Sequence, residues 1–171
     1  MAVLTDERAM RAERSENSAQ VRRICFVCTG NTCRSPMAEA VASRLIADDP
    51  TLAETKAFSA GLYANVGEPI SPQAVLALEE AGIEPVATKH YRTHTAHNLS
   101  AEEAEQYDLL VGMTGAHAME LMMRFPALAQ RIICMPTPIS DPYGGDIAVY
   151  RACLAEIREG VKALLNAEAE S

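Results

Sequence analysis

The chain of 171 residues contains no apolar run long enough to span a bilayer, and its first residues lack the apolar core of a secretory signal. It has no surplus of positive charge. The formal net charge of −8 speaks against nucleic acid or an anionic membrane as a general partner, while allowing a local positive pocket. Its five cysteines form no even, regularly spaced framework of the kind that staples small secreted domains. Internal repeats and low-complexity tracts are absent as well. These absences predict a protein of the reducing cytoplasm.

What is present suits one enzyme-sized unit. Hydrophobic residues make up 49% of the chain, enough to fill a core at this length. Residues 1–20 mix both charge signs with Ser, Asn and Gln and read as a flexible tail, which leaves 21–171 as a single domain. Short apolar runs then alternate with helical patterns. Strands are expected at about 22–27 and 56–60, and helices at about 35–47 and 71–81. Ser71 supplies an N-cap, Pro72 a first-turn proline and Gly82 a C-cap. Ser100 to Glu103 reads as a capping box ahead of a strand at Tyr107–Met113. A helix near 115–124 leads to a strand at Arg131–Met135. Asp146 then caps a last helix whose apolar face is Ile147, Tyr150, Leu154, Ile157, Val161 and Leu164. Strand and helix in alternation predict an α/β fold: a four-stranded parallel sheet with helices on both faces, a doubly wound, Rossmann-like three-layer sandwich. Its functional loops belong at the carboxyl ends of the strands.

One such loop carries chemistry. Cys28-Thr29-Gly30-Asn31-Thr32-Cys33-Arg34 follows the apolar run Ile24-Cys25-Phe26-Val27 and precedes Ser35-Pro36. Backbone N–H groups of such a loop, with the N-terminus of the next helix, make a cradle for an anion. Arg34 adds a planar fork that can hold two phosphate oxygens. The same positive field is expected to lower the Cys28 pKa from near 8.5 into a range of roughly 3.5–7.5, giving a thiolate at neutral pH. Much of the gain in thiolate is offset by lower nucleophilicity. Holding the phosphoryl group in line and stabilising charge on its oxygens is therefore the larger effect.

A cysteine phosphatase also needs an acid for the leaving group. Ile139-Ser140-Asp141-Pro142-Tyr143-Gly144-Gly145-Asp146 offers one, since Pro142 and the glycines make a loop and a residue before proline is biased toward extended geometry.

Val27 through Pro36 together with Asp141-Pro142-Tyr143 resembles the low-molecular-weight protein tyrosine phosphatase family, and most of all its bacterial protein arginine phosphatase branch. The likeness runs from Arg23 to the C-terminus and takes in Phe58-Ser59-Ala60-Gly61, His94 to Leu99 and Leu109 to Thr114. The resemblance implies Cys28 as nucleophile, Arg34 as phosphate clamp and Asp141 as acid and later base. By the same likeness Asn31 holds the loop's shape with Ser59 near it, Ser35 donates to the thiolate, and Thr29, Gly30, Thr32, Cys33 and Tyr143 complete the binding site. It implies phosphorylated proteins as substrates, and no cofactor or metal. Thr32 and Gly144-Gly145 look like the arginine branch, whereas Tyr143 looks like the tyrosine branch.

Other residues have plainer readings. Cys25, Cys134 and Cys153 are expected to be small buried hydrophobes, and Met113, Met119, Met122 and Met123 to fill core around a strand and helix. Cys33, close to Cys28, is a candidate partner for a reversible disulfide that protects the nucleophile, or else simple loop packing. His90, His94, His97 and His117 read as surface or hydrogen-bonding residues, because thiolate attack needs no histidine base. Two rival functions use the same cysteines. A structural zinc module would draw on Cys25, Cys28 and Cys33 with Cys134 or a histidine, but Cys25 and Cys28 span strand residues and Arg34 would have no role there. A thiol-dependent arsenate reductase would relay oxidation through mid-chain cysteines, and none lies between Cys33 and Cys134.

Overall fold

In the computed structural model, which describes residues 22–87 and 90–170, the first strand sits at the centre. The expected N-terminal tail lies outside the described residues. β1 (Arg22–Cys28) pairs in parallel with β2 (Thr55–Gly61) on one side and β3 (Leu109–Gly112) on the other, and β3 pairs with β4 (Ile132–Cys134). The order β2-β1-β3-β4 makes the expected four-stranded parallel sheet. Among the described residues five α-helices pack with the sheet: α1 (Arg34–Asp48), α2 (Pro72–Glu80), α3 (Ala101–Ala104), α4 (Gly115–Arg124) and α5 (Ile147–Glu170).

The alternating side chains of β1 feed two cores, because successive residues of a strand point to opposite faces. Ile24, Phe26 and Cys28 join Met37 and Val41 of α1, Leu78 of α2 and Leu154, Ile157 and Val161 of α5. Cys25 and Val27 join Leu110, Ala104 of α3 and Ala118 and Leu121 of α4 on the other face. Both faces of β1 are thus covered, which is why its sequence is a continuous apolar run rather than an alternating one.

Five expectations need correction. Of Met113, Met119, Met122 and Met123, expected to fill core, only Met113 is buried. Met119 is 67% and Met123 81% exposed, and Met122 is exposed as well, because α4 turns His117, Ala118 and Leu121 inward and carries these three on its solvent side. Cys134 is exposed. It ends β4, a three-residue edge strand with a partner on one side only. Ser71 precedes α2 without capping it, its hydroxyl donating instead to Tyr150 Oη at 3.2 Å. Half of the capping box forms: Ser100 Oγ accepts from Glu103 N–H, while the Glu103 carboxylate accepts from His97 and Tyr107. The third strand is also shorter than expected, because Tyr107 packs its ring on Phe58 before the sheet pairing begins. Cys25 and Cys153 are buried as expected, Gly82 takes its left-handed turn, and Asp146 Oδ1 accepts from Val149 N–H ahead of α5.

Candidate active site

β1 delivers Cys28 to the carboxyl edge of the sheet, and the chain turns through residues 29–33 into α1. No side chain caps that helix, and its first turn holds no acidic residue. Its leading N–H groups are left to face the loop, where an anion is the natural acceptor.

Asn31 sets the loop's shape. It is fully buried and adopts a left-handed backbone, φ 55°. Asn31 Nδ2 donates to Ser35 Oγ at 2.9 Å and to Ser59 Oγ at 3.1 Å, and Asn31 Oδ1 accepts from His97 N–H at 3.2 Å. The Asn31 carbonyl lies 2.7 Å from His94 Nε2. Ser59 in turn donates to the Glu39 carboxylate at 2.5 Å. Every polar group of Asn31's side chain therefore has a partner, which offsets the cost of burying it in this strained conformation.

Cys28 Sγ lies 2.9 Å from Ser35 Oγ. Burial pushes the Cys28 thiol up. The Ser35 hydroxyl, the Ser35 and Asn31 backbone N–H groups and the Arg34 guanidinium pull it down, and burial outweighs them. The expectation of a lowered pKa counted only the charges and dipoles that the sequence displays; the opposing desolvation comes from the tertiary packing.

Arg34 is held under the second loop. Its Nη1 donates to the Ile139 carbonyl at 3.4 Å and its Nη2 is 3.6 Å from Asp141 Oδ2. The Arg34 side chain is 9% exposed and the Asp141 side chain 60% exposed, so a buried cation faces a wet carboxylate across the mouth. Asp141 Oδ1 accepts from Tyr143 N–H at 3.1 Å, a local turn that fixes the carboxylate's direction. Ser140 N–H donates to Glu156 Oε2 and the Cys153 thiol to the Ser140 carbonyl, tying the loop's base to α5. Tyr143 stands 81% exposed beside it.

Thr29 is exposed at the lip of the cradle, Gly30 and Thr32 are half-buried, and Cys33 is buried. The Cys33 Sγ lies 3.2 Å from Tyr150 Oη, whose pKa is pushed up to about 12, chiefly by burial. All five cysteines are free. The zinc grouping does not come together, since Cys25 belongs to the core on the opposite face of the sheet from Cys28 and Cys33.

Glu39 and Tyr150 escaped the sequence as supporting residues, while His94 and His117, expected as surface or hydrogen-bonding residues, do bond the loop, His117 through Nε2 at 3.0 Å from Thr29 Oγ1. The signal that could have pointed to His117 is its position just past the end of β3, the strand beside β1 at the edge where loops build sites.

Fold and site define a class: α/β proteins that set a thiol beneath an anion cradle, with a carboxylate across the mouth. Residues 23–171 match the model of the low molecular weight phosphotyrosine protein phosphatases, and the chain belongs to that family, which works through a cysteine nucleophile. It is 36% identical over 142 residues to a protein-arginine-phosphatase from Geobacillus stearothermophilus, covering 79% of this chain and 88% of that protein. A low molecular weight protein-tyrosine-phosphatase from Staphylococcus haemolyticus is 31% identical, covering 79% and 91%. Among solved structures, the YwlE arginine phosphatase from Geobacillus stearothermophilus superposes with a TM-score of 0.73 at 33% identity, covering 87% of this chain and 91% of that one. No helix among the described residues is long and apolar enough to cross a membrane.

Proposed function

We propose that this protein hydrolyses phosphoarginine on protein substrates through a phosphocysteine intermediate, with Cys28 as nucleophile, Arg34 as phosphate clamp and Asp141 as acid and then base. The observation that carries the reading is the convergence of Cys28, Ser35, Arg34 and Asp141 from two loops at one edge of the sheet. The phosphoryl group is held by the N–H groups of residues 29–35 and the Arg34 fork. Because burial favours the thiol, its proton passes to a phosphoryl oxygen as the dianion binds, leaving thiolate opposite a monoanion. Ser35 stabilises that sulfur by hydrogen bonding. The S–P bond forms as the P–N bond breaks, and Asp141 gives its proton to the leaving guanidino nitrogen. Water then attacks phosphorus, its proton going to the Asp141 carboxylate, and the S–P bond breaks to release phosphate and free Cys28. Free thiols at all five cysteines suit a reducing cytoplasm.

The preference for phosphoarginine rests on Thr32, on Asp141 and on the similarity to proteins named arginine phosphatases. A planar guanidino group presents N–H donors that need acceptors, and the Thr32 hydroxyl and the carbonyl oxygen of the protonated Asp141 carboxyl group can supply them. Tyr143 favours a second reading, phosphotyrosine, because its exposed ring offers an aromatic neighbour for another ring. Parallel assays on phosphoarginine and phosphotyrosine peptides separate the two. Wild type is expected to prefer phosphoarginine, and Thr32→Ile to shift the ratio toward phosphotyrosine by about ten- to hundredfold. A wild-type preference for phosphotyrosine, or an equal loss of both activities in the variant, overturns the reading.

A further inference from the structure

The scheme above makes no use of His117, yet this ring is buried at the first turn of α4 and bonded at both nitrogens. Nδ1 lies 3.0 Å from Thr114 Oγ1, and Nε2 lies 3.0 Å from Oγ1 of Thr29, the residue directly after Cys28. Thr114 is the N-cap of α4, and its oxygen accepts from the His117 backbone N–H at 3.3 Å. A hydroxyl so engaged keeps its own proton to give, and Nδ1 is the acceptor in line for it. A neutral ring that accepts at Nδ1 carries its proton on Nε2 and donates it to Thr29. The donors then point one way, from Thr114 through His117 to Thr29, and the Thr29 hydroxyl proton is left to be given to something else. Thr29 is exposed and follows Cys28 directly in the chain, so its hydroxyl belongs to the same loop that is read as the phosphoryl cradle.

The surroundings keep the ring in this state and place. Burial, then the Arg34 guanidinium, disfavour its protonation, while Glu120 on its own helix and Asp141 from the acid loop act weakly the other way. The helix end is brought close by Gly112, where a Cβ would sit 2.6 Å from Ala118 N and 3.0 Å from His117 Cβ. The Thr29 backbone is fixed from the opposite side, its carbonyl accepting from Leu62 and Tyr63 N–H at 3.2 and 2.9 Å. Only the direction of its side chain remains to be set, and His117 is the group that sets it.

We propose that neutral His117 is a positioning residue for the phosphoryl cradle, acting through Thr29: its Nε2–H fixes the Thr29 hydroxyl as an added donor to the phosphoryl oxygens as charge builds on them. The assignment rests on the reading of residues 28–34 as a phosphoryl cradle, which wild-type turnover of either peptide tests separately. Kinetics of four variants on the better peptide, with thermal melting alongside, test the assignment itself. Thr29→Val removes the hydroxyl at constant shape, and should lower kcat about tenfold with KM within about threefold, the signature of a bond made in the transition state. His117→Asn should do the same, while His117→Gln, whose amide can reach the place of Nε2, should recover most of the loss. The double variant Thr29→Val with His117→Asn should be no worse than either single one. The proposal is overturned by losses that multiply in the double variant, by Gln no better than Asn at equal melting temperature, or by unchanged kcat in Thr29→Val. This last exposed substitution decides the matter even if the buried His117 variants do not fold.

Discussion

The floor of the cradle and its rim obey opposite rules. On the floor Asn31, Ser35 and Ser59 are buried, and hydrogen bonds join them to α1, β2 and the 94–97 loop. On the rim Asp141 and Tyr143 are exposed, and a local turn and a contact with Arg34 are what orient the Asp141 carboxylate. A floor that stabilises charge in the transition state must not reorganise when that charge appears, whereas a rim that exchanges protons with water and admits a protein substrate must stay wet. Floor residues should therefore move stability as well as rate, and rim residues rate alone.

The largest effect belongs to the sulfur that both regions serve. Cys28→Ser should lose more than about 10⁴-fold in kcat with its melting temperature nearly unchanged, because a hydroxyl stays protonated where the thiol can ionise. Substantial turnover in that variant would remove Cys28 from its role. On the rim, Asp141→Asn should cost about 10²–10³-fold in kcat, most on substrates with poor leaving groups, and leave melting unchanged. A uniform small loss on all substrates would make Asp141 a loop-shaping residue instead. On the floor, Asn31→Ala should cost about 2–4 kcal/mol in stability, since it leaves Ser35 and Ser59 short of a donor and puts a Cβ-only residue at positive φ. Denaturant unfolding checks this, and an unchanged midpoint would erase the contrast between floor and rim.

The smallest effect is electrostatic. His97, whose backbone N–H holds Asn31, donates through Nε2 to Glu103 at 2.8 Å, and that bond raises its pKa above the ordinary histidine value. A raised folded-state pKa contributes stability that is fully present below the unfolded value and is lost as pH rises through the folded one. Glu103 is pushed up by burial, but its bonds to His97 and Tyr107 outweigh this and hold it low, so its share is lost as pH falls through its folded pKa. With the His97 side chain 42% exposed, wild type should gain less than about 1 kcal/mol over His97→Gln near pH 6, and that margin should shrink toward pH 8. Paired melts at the two pH values measure it. A margin that grows with pH reverses the assignment.

What the sequence revealed and what it hid divide along the distance between partners. The unit from Arg22 to Asp48 was legible because strand, loop and helix are contiguous and Cys28 to Pro36 is local. Asp141 was legible across a long gap because Asp-Pro followed by glycines marks a loop by itself. His117 to Thr29 and Tyr150 to Cys33 span 88 and 117 residues and carry no local mark. The methionines of α4 show the same boundary. Their presence suits a helix, but which of its faces meets the sheet is settled by Leu121 and Ala118 packing on Leu110 and Val27. The Cys28 pKa failed likewise, since charges can be read along a chain and burial cannot.

The central place of β1 governs when the enzyme acquires activity during folding. Cys28 is in register with Gly61 on one side and Val27 with Gly112 on the other, so the cradle's anchor depends on pairings roughly thirty and eighty residues apart in the chain. Gly61 is required at its position because a Cβ there would sit 2.9 Å from the Thr29 carbonyl. A chain with α1 and β1 formed but β3 undocked would hold every residue of the Cys28 to Arg34 segment and still lack the Thr29 and Met113 contacts that seat it. Regain of phosphatase activity after dilution from denaturant should therefore trail the return of helical signal and coincide with docking of the last strands. The catalytic assay is thereby a late reporter of the folding of this sheet.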